Sequence, residues 1–433
     1  MIETLDRGAL LGLLERPPLR RLLEAFNGRG EETRIVGGAV RNALLGLPVT
    51  EVDCTTTALP DRIFSLAAEA GFKSVPTGLD HGTITVIVDG EPFEVTTLRE
   101  DVETDGRHAV VRFGRDFAPD ARRRDFTINA LSLGLDGRLH DYTGGVADLA
   151  ARRVRFIGEA RARIREDYLR ILRFFRFHSE YSEGDPDAEG MAASGAEREG
   201  LRILSRERVH HELLKLLVTR RAGETIRVLA EHGFLTWLLG GAAEFGRFAR
   251  LAAADRDEPA PVRRLAALAA MVEEDADRLR DHLRLSNDEH GSLAAYARLL
   301  GALKTRPLPL DAAAIRRLAA EHEVETLAAV LAATAGEPAP VVHADAREAL
   351  ERFRRGAEPV PVFPLRGADL VGAGLPRGPE IGRLLALARQ AWLAEGCRTD
   401  EAYAGELLRR VLENPSPGWE RGRGEGRPVQ AQE

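Results

Sequence analysis

The hydrophobic pattern of this chain changes character once, near Gly145, and that switch restricts the folds open to it. Up to that point, short β-branched runs alternate with glycine turns and brief helical stretches. Beyond it, leucine, alanine and arginine recur at helical spacing to about residue 412, with no convincing strand. The pattern predicts an α+β fold, with a mixed sheet and its helices over residues 1–145 and an all-α remainder. At 433 residues the chain exceeds what one core usually holds, so two to four domains are expected. Segments rich in glycine, proline and alanine near 183–199, 254–261 and 336–342 are candidate joints. The polar end, residues 413–433, is expected to be disordered.

Within the first part, a leucine-rich helix is interrupted at Pro17-Pro18. RIVGGAV reads as a strand entering a glycine turn and then a helix that Pro48 ends. EVDCTTT is a second strand, and PDRIFSLAAEAGF a helix. GTITVIVDGEPFEVTTLR is the clearest hairpin, its two β-branched runs flanking Asp89-Gly90. Residues 100–121 are polar and expected to be mobile. RRRDFTINALSLGLDGRLHDYTGG predicts a helix and then a hairpin around Asp136-Gly137.

Composition excludes several classes. With 44% hydrophobic and 30% charged residues the chain is neither disordered nor collagen-like. No run approaches ~18 apolar residues, so no membrane span is expected, and the first residues do not read as a secretory signal. Two cysteines, Cys54 and Cys397, argue against a disulfide scaffold or a cysteine zinc site and for a reducing, cytoplasmic setting. The net charge of −7 argues weakly against nucleic acid, but charge is unevenly placed. All the basic residues are arginine except Lys73, Lys215 and Lys304, and residues 107–176 hold sixteen arginines against nine carboxylates. Charge alone leaves two readings open: solvated arginine-rich helices, or a phosphate-binding face suited to the planar guanidinium fork.

Four segments could perform chemistry. In GGAVRN, Gly37 and Gly38 lie between a strand and a helix, where backbone N–H groups can approach a phosphate, and Arg41 could hold a triphosphate oxygen. Neither a P-loop nor a Rossmann fingerprint is present. Glu51 and Asp53, two apart on a strand, would point to one face with Cα atoms about 6.5 Å apart, either an exposed strand edge with two acids or an arrangement suited to Mg²⁺ bound with substrate phosphates. Glu94, on the following hairpin, is either a solvent-facing strand residue or a further ligand or base for an attacking hydroxyl. Asp125 could cap a helix, placing Arg124 beside the same phosphates. Asp167, Arg170, Arg173 and Arg176 recur every three residues on a predicted helix. They form either a salt-bridged solvent face or a base-reading surface, in which carboxylate and guanidinium would accept C and A and reject U and G.

The ordered set resembles the class II tRNA nucleotidyltransferases, the CCA-adding enzymes of the polymerase β superfamily. The resemblance rests on IVGGAVRNALLG, EVDCTTTALP, PTGLDHGTITV, FEVTTLRED, RRRDFTINAL, DYTGGVADL, REDYLRILRFFRF and SRERVHHELLKLL, in family order over about residues 34–220. It implies a polymerase β-like nucleotidyltransferase head (1–145), a helical neck that reads the base and binds RNA (146–220), and a helical body and tail that bind tRNA (221–412). It also implies addition of CTP, CTP and ATP to the tRNA 3′ end without a nucleic-acid template, as a monomer or homodimer, with two Mg²⁺ ions held by Glu51 and Asp53. Gly38 and Arg41 match the nucleotide-contacting turn, and Glu94 falls where a third acidic residue is often placed. Arg124 matches a nucleotide-contacting arginine. Asp167 and Arg170 match the base-edge readers, with Arg173 and Arg176 beside the nucleotide. Asp141, Gly144 and Gly145 match a hinge block, and residues 100–121 resemble a flexible loop thought to assist the switch from C to A.

Two positions depart from the family, which usually has Asp where Glu51 and Asn42 stand. Glu51 keeps the charge on a longer arm, as in a related class with Glu-x-Asp, whereas Asn42 removes a charge. His210-His211 reads as surface or core rather than a metal site. The rivals are a bacterial poly(A) polymerase or A-adding enzyme of the same fold, and an inactive RNA-binding relative.

Overall fold

The computed structural model describes residues 5–104, 109–306 and 308–413. They form two compact units, one of Met1–Gly241 with His282–Leu285, the other of Ala242–Asp281 with Ser286–Glu433.

The first unit is built on nine strands: β1 Thr33–Val36, β2 Asp53–Thr56, β3 Lys73–Gly78, β4 Thr83–Val88, β5 Glu91–Thr97, β6 Arg99–Thr104, β7 Ala109–Phe113, β8 Ser132–Gly134 and β9 Leu139–His140. Seven form one mixed sheet in the order β3-β4-β5-β2-β1-β8-β9. Only β2 and β5 pair in parallel, and their register sets Asp53 opposite Glu94. Alternation in β4 buries Ile84, Val86 and Val88, and β5 buries Phe93, Val95 and Thr97. Helices Pro17–Phe26 and Pro60–Glu69 pack on this side of the sheet. Each begins with proline in its first turn, where the missing N–H costs no hydrogen bond. Asp89 and Gly90 both adopt positive φ, as a two-residue hairpin turn requires.

Several elements differ from the sequence pattern. β3, with a proline and mostly exposed residues, was not anticipated. β2 is shorter than EVDCTTT and starts at Asp53, so Glu51 precedes the strand rather than sharing its face. The polar stretch forms the β6–β7 hairpin and the helix Phe117–Arg122; residues 105–108 lie outside the described residues. DFTINAL is not a helix but a 3-10 turn, Thr127–Asn129, because tertiary bonds claim its backbone: Thr127 N–H donates to Arg155 O and Phe126 pairs with Phe156. The segment 183–199 contains a helix, Ala188–Ala196. Its small residues permit close packing, and a Cβ at Gly190 would stand 2.8 Å from the Phe174 ring.

Among the described residues no strand follows His140. Helix Ala160–Glu166 is separated by a break at Asp167-Tyr168 from helix Leu169–Tyr181, which helix Arg206–Leu217 flanks. Phe126 joins the sheet layer to these helices: its ring centroid is 5.0 Å from Phe156 and 5.2 Å from Phe177. The second unit is helical. It contains a core cluster with Leu370, Leu384, Trp392, Tyr403 and Leu407 fully buried. The expected disordered end, apart from Glu413, lies outside the described residues.

The hinge block is tightly specified. The Asp141 carboxylate accepts from the N–H groups of Thr143, Gly144, Gly145 and Val146 at 2.9–3.0 Å, securing the start of helix Gly145–Ala150. A Cβ on Gly145 would stand 2.2 Å from Thr127 O. Asp141→Ala is expected to lower stability by about 2 kcal/mol, as loss of a strong helix cap does, and Gly145→Ala by more; urea denaturation measures both.

Candidate active site

A cleft of about 450 Å³ gathers residues from the sheet, the DFTIN turn and the helices that follow. Gly37, Gly38, Arg41 and Asp53 line one side, Arg123, Arg124, Asp125 and Asn129 the next, and Asp167, Arg170, Arg173 and Phe177 the opposite wall. Its lining sets five guanidinium groups against three carboxylates, a surplus of positive charge suited to a polyphosphate.

The glycine pair lies where β1 ends. Gly37 has φ 69°, and a Cβ there would come 3.3 Å from Arg124 Nη1, so the turn admits little besides glycine. Helix Gly38–Leu44 then places Arg41 beneath the cleft, only 6% exposed. Burial pulls the Arg41 guanidinium down from its usual value. It donates through Nη2 to Tyr181 Oη at 2.7 Å and to Asn42 Oδ1 at 2.9 Å, and through Nη1 to Asn129 Oδ1. All these partners are neutral, so Arg41 forms no ion pair with the residues around it. The Tyr181 ring lies 4.0 Å beneath the same group. Asn42, the departure from the family pattern, bonds Arg41 and Pro48 O.

Asp53 is open to solvent at the cleft mouth while protein crowds it elsewhere. That burial raises its carboxyl above the ordinary value, and the neighbouring Glu94 and Glu51 carboxylates add to the rise, while Arg124 opposes it. Among the described residues none of the three side-chain carboxylates forms a hydrogen bond or ion pair. Of the three, only Asp53 lines the cleft; Glu94 lies opposite it in the β2–β5 register, and Glu51, just before β2, is near enough to act on its charge. Among the described residues no group of three closes into a cage. Mg²⁺ does not require one, since it takes one or two carboxylates and completes its shell with phosphate and water.

Asp125 does not cap a helix. Its nearly buried carboxylate accepts Phe126 N–H and Asn129 Nδ2 on Oδ1, and Arg173 Nε and Nη2 on Oδ2 at 2.9 and 2.6 Å. Burial opposes ionisation, but Arg173 and the other donors outweigh it and hold the group below the usual carboxylate range. Arg124 is bonded to Asp120 and faces Asp53 electrostatically.

Asp167 is not on the helix with its three arginines. It occupies the extended link at φ −157°, where Oδ1 accepts Leu169 N–H and Oδ2 accepts Arg208 Nη2 at 2.7 Å. Arg170, in the first turn of the helix, donates to Glu166 Oε2 at 2.6 Å. Arg173 turns to Asp125, and Arg176 to Glu212 Oε2 at 2.6 Å. Arg176 does not line the cleft; its guanidinium lies 4.4 Å over Phe177. The sequence pattern offers Asp125 only as a cap and gives no role to Arg123, Asn129, Phe177 or Arg208. The i,i+4 spacing of Asp125 and Asn129 was the available signal.

A carboxylate pair across two sheet strands beside a glycine turn and several guanidinium groups is the arrangement expected of a nucleotidyltransferase. Family comparison agrees. Residues 33–155 match the poly A polymerase head domain, and 187–245 match the probable RNA and SrmB-binding site of polymerase A. The mouse mitochondrial CCA tRNA nucleotidyltransferase 1 is 36% identical over 389 residues, 88% of each chain. The CCA-adding enzyme of Geobacillus thermodenitrificans is 38% identical over 248 residues, 56% of this chain and 59% of that one. The Bacillus stearothermophilus CCA-adding enzyme solved with CTP superposes with TM-score 0.70 at 25% identity, covering 92% and 99% of the two chains. The chain belongs to the CCA tRNA nucleotidyltransferase family.

Removing charge from the acidic cluster should stabilise the metal-free protein. Asp53→Asn is expected to raise Tm slightly in chelator at neutral pH, the gain limited by solvent screening of an exposed carboxylate, while Mg²⁺ is expected to raise the Tm of the parent more than that of the variant. Differential scanning fluorimetry checks both.

Proposed function

We infer that this protein is a CCA-adding enzyme, which adds CTP, CTP and ATP to the 3′ end of tRNA without a nucleic-acid template and releases pyrophosphate. The observation behind the reading is the single cleft in which Gly37, Gly38, Arg41, Asp53 and Arg124 face Asp167 and Arg170. Arg41 and Arg124 would hold the triphosphate. Glu51 and Asp53, with Glu94 beside them, would hold two Mg²⁺ ions, which supply charge neutralisation and lower the pKa of the attacking tRNA 3′-hydroxyl. The hydroxyl attacks the α-phosphorus in line with the leaving pyrophosphate, and the protein's part is positioning and charge. Asp167 and Arg170 would accept the C or A edge, Arg173 would keep Asp125 in register, and Arg176 would act from behind Phe177. The β6–β7 hairpin, rooted where Gly114 N–H donates to Leu98 O, is the candidate element for switching from C to A.

Residues 1–145 as head, 146–220 as neck and 221–412 as body and tail is the division we adopt for function, with the helical remainder holding tRNA through shape and phosphate contacts. No described helix is long and apolar enough to cross a membrane. A cytoplasmic setting is supported by Cys54 and Cys397 both being free thiols, although the mouse relative is mitochondrial.

The head-domain match leaves a poly(A) polymerase as the second reading. Sequencing the 3′ ends made from tRNA lacking CCA, with all four nucleotides present, separates them. The expected product is CCA and no longer; long A tracts from ATP alone would establish the second reading. Asp53→Ala should reduce pyrophosphate release by about 10²–10³-fold or more, and a parent with no turnover would be the inactive relative.

A further inference from the structure

The two walls of the cleft are joined by an arginine that does not line it. Arg163, in the last turn of helix Ala160–Glu166, is 13% exposed at its side chain. Its Nη2 donates to the backbone carbonyls of both Arg123 and Arg124, the latter at 2.7 Å. Its Nη1 donates to Glu166 Oε1 at 2.6 Å. Glu166 also accepts Arg170 Nη1 through Oε2, and that same Nη1 donates to the Arg163 carbonyl at 2.8 Å. One guanidinium fork therefore holds the main chain bearing Arg124 and Asp125 on one side, and the carboxylate that orients Arg170 on the other.

We propose that Arg163 is a positioning residue that sets the spacing between the phosphate-holding wall and the base-reading wall, and so sets nucleotide selectivity. The inference rests on the function proposed above. With the triphosphate anchored at Arg41 and Arg124, the base edge can meet Asp167 and Arg170 only at one separation of the walls. Hydrogen bonds to a base edge lose most of their discrimination when displaced by about 1 Å. No other side chain among the described residues bonds both the Arg123–Arg124 carbonyls and Glu166. A lysine could not reproduce the link, because an ammonium lacks the flat fork that reaches two carbonyls and a carboxylate together.

The test compares parent, Arg163→Ala and Arg163→Lys in steady-state addition of CTP and of UTP to tRNA lacking CCA, with circular dichroism as the folding check. The ratio of kcat/KM for CTP over UTP is expected to fall about tenfold or more in Arg163→Ala and by a smaller factor in Arg163→Lys. Equal losses for both nucleotides, leaving the ratio unchanged, would overturn the proposal, and so would unchanged kinetics. If Arg163→Ala does not fold, Arg163→Lys decides by the same ratio. A parent that does not add CTP at all would instead remove the underlying functional reading.

Discussion

The buried carboxylate of Asp125 is the interaction on which the cleft depends. It is almost sealed from water, and an ionised carboxylate there is costly unless fully bonded. Four donors meet that need: Phe126 N–H, the Asn129 amide and two nitrogens of Arg173. Because Arg173 comes from helix Leu169–Tyr181 and Asn129 from the turn after the arginine run, their shared acceptor locks helix to turn. Asn129 then passes the constraint to Arg41, which also rests on Tyr181 of that helix. Removing one partner of such a pair strands the other charge, at a cost of about 3–5 kcal/mol.

The arginines of the sequence divide by role only in three dimensions. Arg173 and Arg176, predicted beside a nucleotide, are committed to Asp125 and Glu212, while Arg41 has only neutral partners. A guanidinium without a carboxylate is the one best prepared for an incoming phosphate, since no protein anion must be displaced. Asn42 fits that logic: the amide steers Arg41 without neutralising it. The acids obey the converse rule. Glu94 and Glu51 act on Asp53 as like charges, and no basic side chain is paired with any of the three carboxylates among the described residues.

Much of the fold was legible because local chemistry and final structure agree. The Asp89-Gly90 hairpin, the proline-started helices and the glycine turn after β1 each follow from backbone constraints that no distant contact overrides. The DFTIN block was misread as a helix because its donors and acceptors are taken by Arg155, Asp148 and Arg173, residues far along the chain. Helix Ala188–Ala196 was read as a joint because small residues resemble a linker until Phe174 supplies the surface they pack against. Arg163 gave no sequence signal, since its partners are main-chain carbonyls, which every residue possesses.

By itself the order of residues determined the change from mixed sheet to helices and the identity of the glycine turn, and it named the carboxylates and arginines from which a cleft could be built. Those features depend on side-chain type and on spacings of a few residues, where backbone geometry leaves little choice. Only the tertiary structure decided that Asp53 lies against Glu94, that Asp167 sits in a break rather than on the helix, and which arginines are spent on carboxylates. Those outcomes are set by strand register and by competition for buried charge among groups dozens of residues apart, and neither is written in any local pattern.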